Sequence, residues 1–183
     1  MASLLNQREK KILVNALCIL DICPVAYPEE DFSSVLTTID NLVSTQEAVR
    51  AAQSKGAISK LIDTFTEDTS LRAFLMSNIQ YKGDKFGWKF CVDSINRNKI
   101  QITGFDLPDL IPYSGPTLLL KGGNSNFVRL KYLETVKSFF PNYTLVSEKA
   151  CGHWLHFEKP HETTDKVVGF IKYSKAMTSN PMH

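Results

Sequence analysis

Val14-Asn-Ala-Leu-Cys-Ile-Leu-Asp-Ile-Cys-Pro24 is the stretch on which the reading of the whole chain turns. A mostly apolar run over residues 14–20, closed by Asp21 and Pro24, predicts a strand buried on both faces, as in a parallel sheet. Working outward, residues 117–121 and 143–148 predict two more strands. Helices are predicted over 126–139 and 161–173. Strands alternating with helices imply parallel pairing and an α/β sheet, with the functional site at the carboxyl ends of the strands. That rule selects three places: residues 21–24, 122–126 and 150–153.

Between the first strand and the second, residues 29–112 change pattern. Helical segments are expected over 31–42, 45–57, 58–65, 69–78 and 88–98, which together read as an all-helical insertion. The expected organisation is a core of residues 1–28 and 113–173, a helical cap of 29–112, and a frayed polar tail of 174–183. Residues 2–10 read as the end of a helix.

The 183 residues are 43% hydrophobic and 22% charged, which suits an ordinary globular domain with a core of its own. With 21 Lys and Arg against 19 Asp and Glu, the formal charge is +2, and neither nucleic acid nor an acidic membrane is an expected partner. No apolar run approaches the roughly 18 residues of a membrane helix, and residues 1–11 lack the charge order of a secretory signal. The scattered Cys18, Cys23, Cys91 and Cys151 suit reduced thiols better than a disulfide framework, so an intracellular setting is expected.

The strongest chemical signal is Lys149-Ala-Cys-Gly-His-Trp-Leu-His156, which follows a predicted strand and precedes a helix. A histidine behind a glycine on such a loop can aim its ring into a cleft, and imidazole exchanges protons near neutral pH. The second signal is Asp21: a carboxylate at the end of a buried strand needs a partner, either an imidazole or the backbone of a turn before Pro24. Cys151 could pair with His153 as a nucleophile, though groups two residues apart on a loop seldom reach attack geometry. His153, His156 and His161 fit no closed zinc set, and no metal is expected.

Asp21-Ile-Cys-Pro-Val, Phe86-Gly-Trp88, the run from Tyr113 to Val128, Phe140-Pro141 and Gly152-His-Trp-Leu-His156 together resemble the α/β-hydrolase superfamily, and within it the abhydrolase domain-containing protein 11 type and its bacterial acyl-ester hydrolase relatives. The resemblance implies a partial α/β-hydrolase fold. Its three parallel strands would be the sixth to eighth of the family, with flanking helices and the cap inserted between sixth and seventh. It further implies a Ser-His-Asp esterase or thioesterase site acting on small acyl esters or thioesters, no cofactor, and a mitochondrial location. The family's base falls on His153, and its acid on Asp21, with Asp93 in the cap as the alternative.

The family's nucleophile sits in a Gly-x-Ser-x-Gly elbow ahead of the helix leading to Asp21, and that pattern occurs nowhere in these 183 residues. The chain is therefore expected to be the C-terminal portion of a serine hydrolase, inactive by itself. The rival expectation is a non-catalytic binding module or truncated isoform. In either case, self-association or a protein partner is expected along the exposed edge of the first strand.

Overall fold

The computed structural model describes residues 14–105 and 111–179. The helix expected over 2–10 and the last four residues of the expected tail lie outside them. The chain divides into two compact units, one holding the residues up to Val25 and from Phe105 onward, the other Ala26–Gly104.

The first unit is built on a three-stranded parallel sheet. β1 (Leu17–Leu20) pairs with β4 (Thr117–Gly122), which pairs with β5 (Tyr143–Glu148). Leu17 lies opposite Thr117 and Leu20 opposite Leu120, while Thr117 lies opposite Tyr143 and Gly122 opposite Glu148. The central β4 reads Thr-Leu-Leu-Leu-Lys-Gly, and its first four residues are buried, as expected of a strand covered on both faces. Leu118, Leu120, Cys151 and Leu155 form a core cluster, with Cys18, Val146 and Phe170 packed on it. The Tyr113 hydroxyl donates to the Val14 carbonyl at 3.1 Å, and Gly115 lies so close under the Tyr113 ring that a Cβ there would fall 2.2 Å from the phenol oxygen.

Two expected helices differ in extent. Only a 3₁₀ turn (Leu130–Tyr132) and a short helix α6 (Leu133–Phe139) occupy the span expected as one helix from 126, because Arg129 is extended. After α7 (Leu155–Glu158), the terminal helix α8 runs over Pro160–Ser179, past residue 174 where the tail was expected. Ser174 is buried, its hydroxyl donating to the Phe170 and Ile171 carbonyls, so the polar residue that suggested a frayed end is internally satisfied.

The second unit holds α1 (Glu29–Ala51), α2 (Lys55–Asp63), α3 (Thr69–Ser77), α4 (Val92–Arg97) and α5 (Lys99–Thr103). Its long α1 carries Glu29, Glu30 and Asp31 in the first turn and Arg50 in the last, matching the helix dipole. The Ser54 side chain caps α2, and the Asp68 carboxylate caps α3 by accepting from the Ser70 and Leu71 amides. Val49, Ile58, Ile62, Leu75 and Trp88 lie in its core.

This unit is not all-helical, contrary to the sequence expectation. β2 (Ile79–Lys82) and β3 (Lys85–Trp88) form an antiparallel hairpin, with Tyr81 opposite Phe86 and their rings 4.8 Å apart. Gly83 and Asp84 make the turn with φ of 59° and 65°, the doubly left-handed geometry that matches strand twist. The first and last turns of the unit meet, since the Tyr27 amide donates to the Thr103 carbonyl at 3.3 Å.

Candidate active site

All three carboxyl ends of the parallel strands contribute to one cluster. At the end of β1 the backbone turns sharply, because Asp21 takes a left-handed φ of 51° while its amide donates to Leu120 at 2.8 Å. Left-handed geometry is costly for most side chains but tolerated by Asp. It leaves a fully buried carboxylate at the sheet's carboxyl edge. At the end of β4, the Gly122 amide donates to Asp21 Oδ1 at 2.9 Å. Beyond β5, Ala150 also adopts a φ of 51° and carries the chain through Cys151 and Gly152 to His153.

His153 Nδ1 lies 2.9 Å from Asp21 Oδ2. An ionised carboxylate only accepts, so this pairing puts the ring proton on Nδ1 and leaves the lone pair on Nε2. The buried acid is thereby satisfied at both oxygens. The imidazole is 38% exposed, with the Phe127 ring centroid 4.2 Å from its own. The cluster can therefore hold an imidazole in one tautomer and orientation while its far nitrogen exchanges a proton, which is what a general base requires.

The loops carrying these groups are stitched together. Gly123 donates to the Glu148 carbonyl at 2.7 Å and Asn124 to the Cys151 carbonyl at 2.9 Å. Lys121 Nζ spans the Gly122 and Ser125 carbonyls at 3.0 and 2.8 Å. Lys166 pairs with Glu148 at the end of β5. The Glu158 carboxylate accepts from the Gly152 amide at 2.7 Å and the Trp154 amide at 3.2 Å.

Asp93 and Cys151 are the other sequence candidates. Asp93 is on α4 in the second unit, where Oδ1 accepts from Gln46 Nε2 at 3.0 Å. Cys151 is fully buried in the sheet unit's core, and burial, reinforced by Glu158 and Glu148, pushes its thiol up to about 11. Such a thiol is a packing group and not a nucleophile near neutral pH. Cys91 is exposed and its thiol titrates lower than usual through its contact with Ser94. Among the described residues, no group of three His, Cys, Asp or Glu side chains could hold a metal ion, and no helix is long and apolar enough to cross a membrane. Sequence reasoning missed Glu158 and Lys121, whose bonds run to the backbone and leave no side-chain pattern.

A parallel sheet with a carboxylate and an imidazole joined at its carboxyl edge, and a largely helical insertion between its first two strands, is an α/β-hydrolase arrangement. The model of the alpha/beta hydrolase fold matches residues 30–160, and the chain belongs to that family. It is 28% identical over 159 residues to the mouse (Mus musculus) sn-1-specific diacylglycerol lipase ABHD11, covering 87% of this chain and 52% of that protein. To an abhydrolase domain-containing protein of Schizosaccharomyces pombe it is 35% identical over 117 residues, covering 61% of this chain and 43% of the other. A solved marine microorganism esterase superimposes with a TM-score of 0.83 at 29% identity, covering 92% of this chain and 65% of that one. The chain spans about half the length of the curated relatives it matches.

Proposed function

We propose that this chain carries the acid and base of a serine hydrolase that cleaves acyl esters or thioesters, with Asp21 as acid and His153 as base. The observation that carries this reading is the 2.9 Å contact between a fully buried carboxylate and a half-exposed imidazole at the sheet's carboxyl edge. In this reading a serine from outside the 183 residues attacks the acyl carbonyl, and its proton passes to His153 Nε2. The tetrahedral intermediate collapses, the leaving alcohol or thiol takes that proton, and water then deacylates the serine with His153 again as base. Asp21 keeps the ring in the productive tautomer and stabilises the imidazolium. The lipase and esterase names of the relatives support the substrate class. Asp93 is the alternative acid, and a mitochondrial location follows from the resemblance.

The 183-residue chain is then inactive by itself. Purified chain assayed on short acyl nitrophenyl esters should show no turnover above a His153→Ala control, and turnover that vanishes in the control would refute this. The coding sequence immediately upstream of Met1 should carry an in-frame Gly-x-Ser-x-Gly, and a stop codon there in the mature message would refute the hydrolase reading.

One observation favours a second reading, a binding module. Among the described residues the outer edge of β1 pairs with no strand, and Leu20 and Ile22 beside it are 36% and 39% exposed. Self-association in size-exclusion chromatography supports this reading, and a monodisperse monomer with a sharp, cooperative melt above roughly 50 °C removes it.

A further inference from the structure

The two backbone amides flanking His153 in the chain both donate to one side chain. Gly152 N–H reaches Glu158 Oε2 at 2.7 Å, and Trp154 N–H reaches Oε1 at 3.2 Å. Charge-assisted bonds of this kind are shorter and about twice as strong as neutral ones. The carboxylate also lies directly over the Gly152 α-carbon, since a Cβ there would fall 2.9 Å from Oε1 and 3.4 Å from Oε2. Its anchor is rigid: α7 begins one residue after Trp154, and Leu155 in that helix is fully buried. Asp21 orients the ring of His153, but nothing in that contact fixes the backbone from which the ring projects. Glu158 holds that backbone on both sides.

We propose that Glu158 is a positioning residue for His153, fixing the loop so that the imidazole meets Asp21. This rests on the functional reading above. A carboxylate serving only to cap α7 would need the Trp154 amide alone; the shorter bond goes instead to Gly152, before the histidine. The same carboxylate helps to keep the adjacent Cys151 in its protonated form, so the loop presents one proton-exchanging group and not two.

Proton NMR of the 183-residue chain tests this without any need for turnover. The Nδ1 proton shared with Asp21 should give a low-field ring signal, and the Gly122 amide reports the other oxygen of Asp21 independently. Glu158→Ala, which removes both acceptors, should speed exchange of the ring proton with water about tenfold, the equivalent of one charge-assisted bond. Glu158→Gln keeps one acceptor and should fall between. Gly152→Ala, which pushes the carboxylate aside, should act in the same direction. In all three, protection of the Gly122 amide should hold.

A ring proton whose exchange is unchanged in both Glu158 variants overturns the proposal. So does a loss of Gly122 protection in step with the ring proton in every variant, since Glu158 would then be a general staple of the fold. A ring proton absent from the unaltered chain removes the Asp21–His153 pair and the functional reading with it. One that is present but indifferent to Glu158 overturns only the positioning role.

Discussion

Replacing Gly122 with Ala tests the close approach on which the cluster depends. An added Cβ would lie 2.0 Å from the Gly152 carbonyl oxygen, 2.8 Å from its carbon and 3.0 Å from the Cys151 oxygen. All three atoms are backbone, so no side chain can rotate away. Ordinary contact needs about 3.5 Å, and the segment before His153 would have to retreat by more than ~1 Å. The Asp21–His153 contact of 2.9 Å would then stretch beyond hydrogen-bond length. Overpacking costs ~1–3 kcal/mol, and a buried carboxylate that loses a partner adds a similar amount. A total of about 2–6 kcal/mol lowers the melting temperature by roughly 4–24 °C in a chain of this size. Circular dichroism melts would be compared with Gly169→Ala, where the new Cβ meets nothing within 4 Å and the helix gains up to ~1 kcal/mol. A Gly122→Ala melt within about 2 °C of the parent, with the low-field ring proton intact, would refute the reasoning.

Other perturbations separate the parts of the structure. In any longer form of the protein that hydrolyses esters, Asp21→Asn should lower kcat by about 10⁴-fold, the size expected when an orienting carboxylate is lost; Asp93→Asn should leave it nearly unchanged, and the reverse result would exchange their roles. Because the Cys151 thiol is raised from 9.0 to about 11, the unfolded chain releases that proton first, so stability should hold below pH 9 and decline as pH rises towards 11. Melts across that range should show the decline, flattened in Cys151→Ala, and exposed Cys91 should alkylate well before Cys151. Ile62→Ala, at a site 1% exposed in the helical unit's core, should cost ~2–5 kcal/mol and be read as lost hydrogen-exchange protection in α1 to α3.

What the sequence revealed and what it hid follow from the range of the interactions. β5 spans the residues 143–148 expected of it, and β4 extends the expected run by one residue, because Leu118-Leu-Leu120 must be buried on both faces and says so by composition. Asp21 and His153 could each be singled out as polar groups at strand ends, but their 2.9 Å contact joins residues 132 positions apart and only the sheet supplies it. The hairpin was legible in principle, since Lys82-Gly-Asp-Lys85 is a two-residue turn between aromatic strands. Its strands are four residues each, too short for alternation to stand out against the helical segments around them. In α1, residues 43 and 44 carry no Gly or Pro, so the break expected between two helices does not occur.

The hydrogen bond between Tyr27 and Thr103 bears on how the sheet can form at all. β1 and β4 are neighbours in space with the whole of Ala26–Gly104 between them, a long loop to close before any strand pairing is gained. Once the helical unit folds and its two ends meet at that bond, the chain that must be closed shrinks from the 96 residues between Leu20 and Thr117 to those before Tyr27 and after Thr103, about a fifth of that length. Each halving of a loop recovers about 0.6 kcal/mol, so the saving is roughly 1.4 kcal/mol. The insertion would then act as a folding clasp, and lengthening it between its ends should cost the sheet little, whereas separating Tyr27 from Thr103 should slow the pairing of β1 with β4.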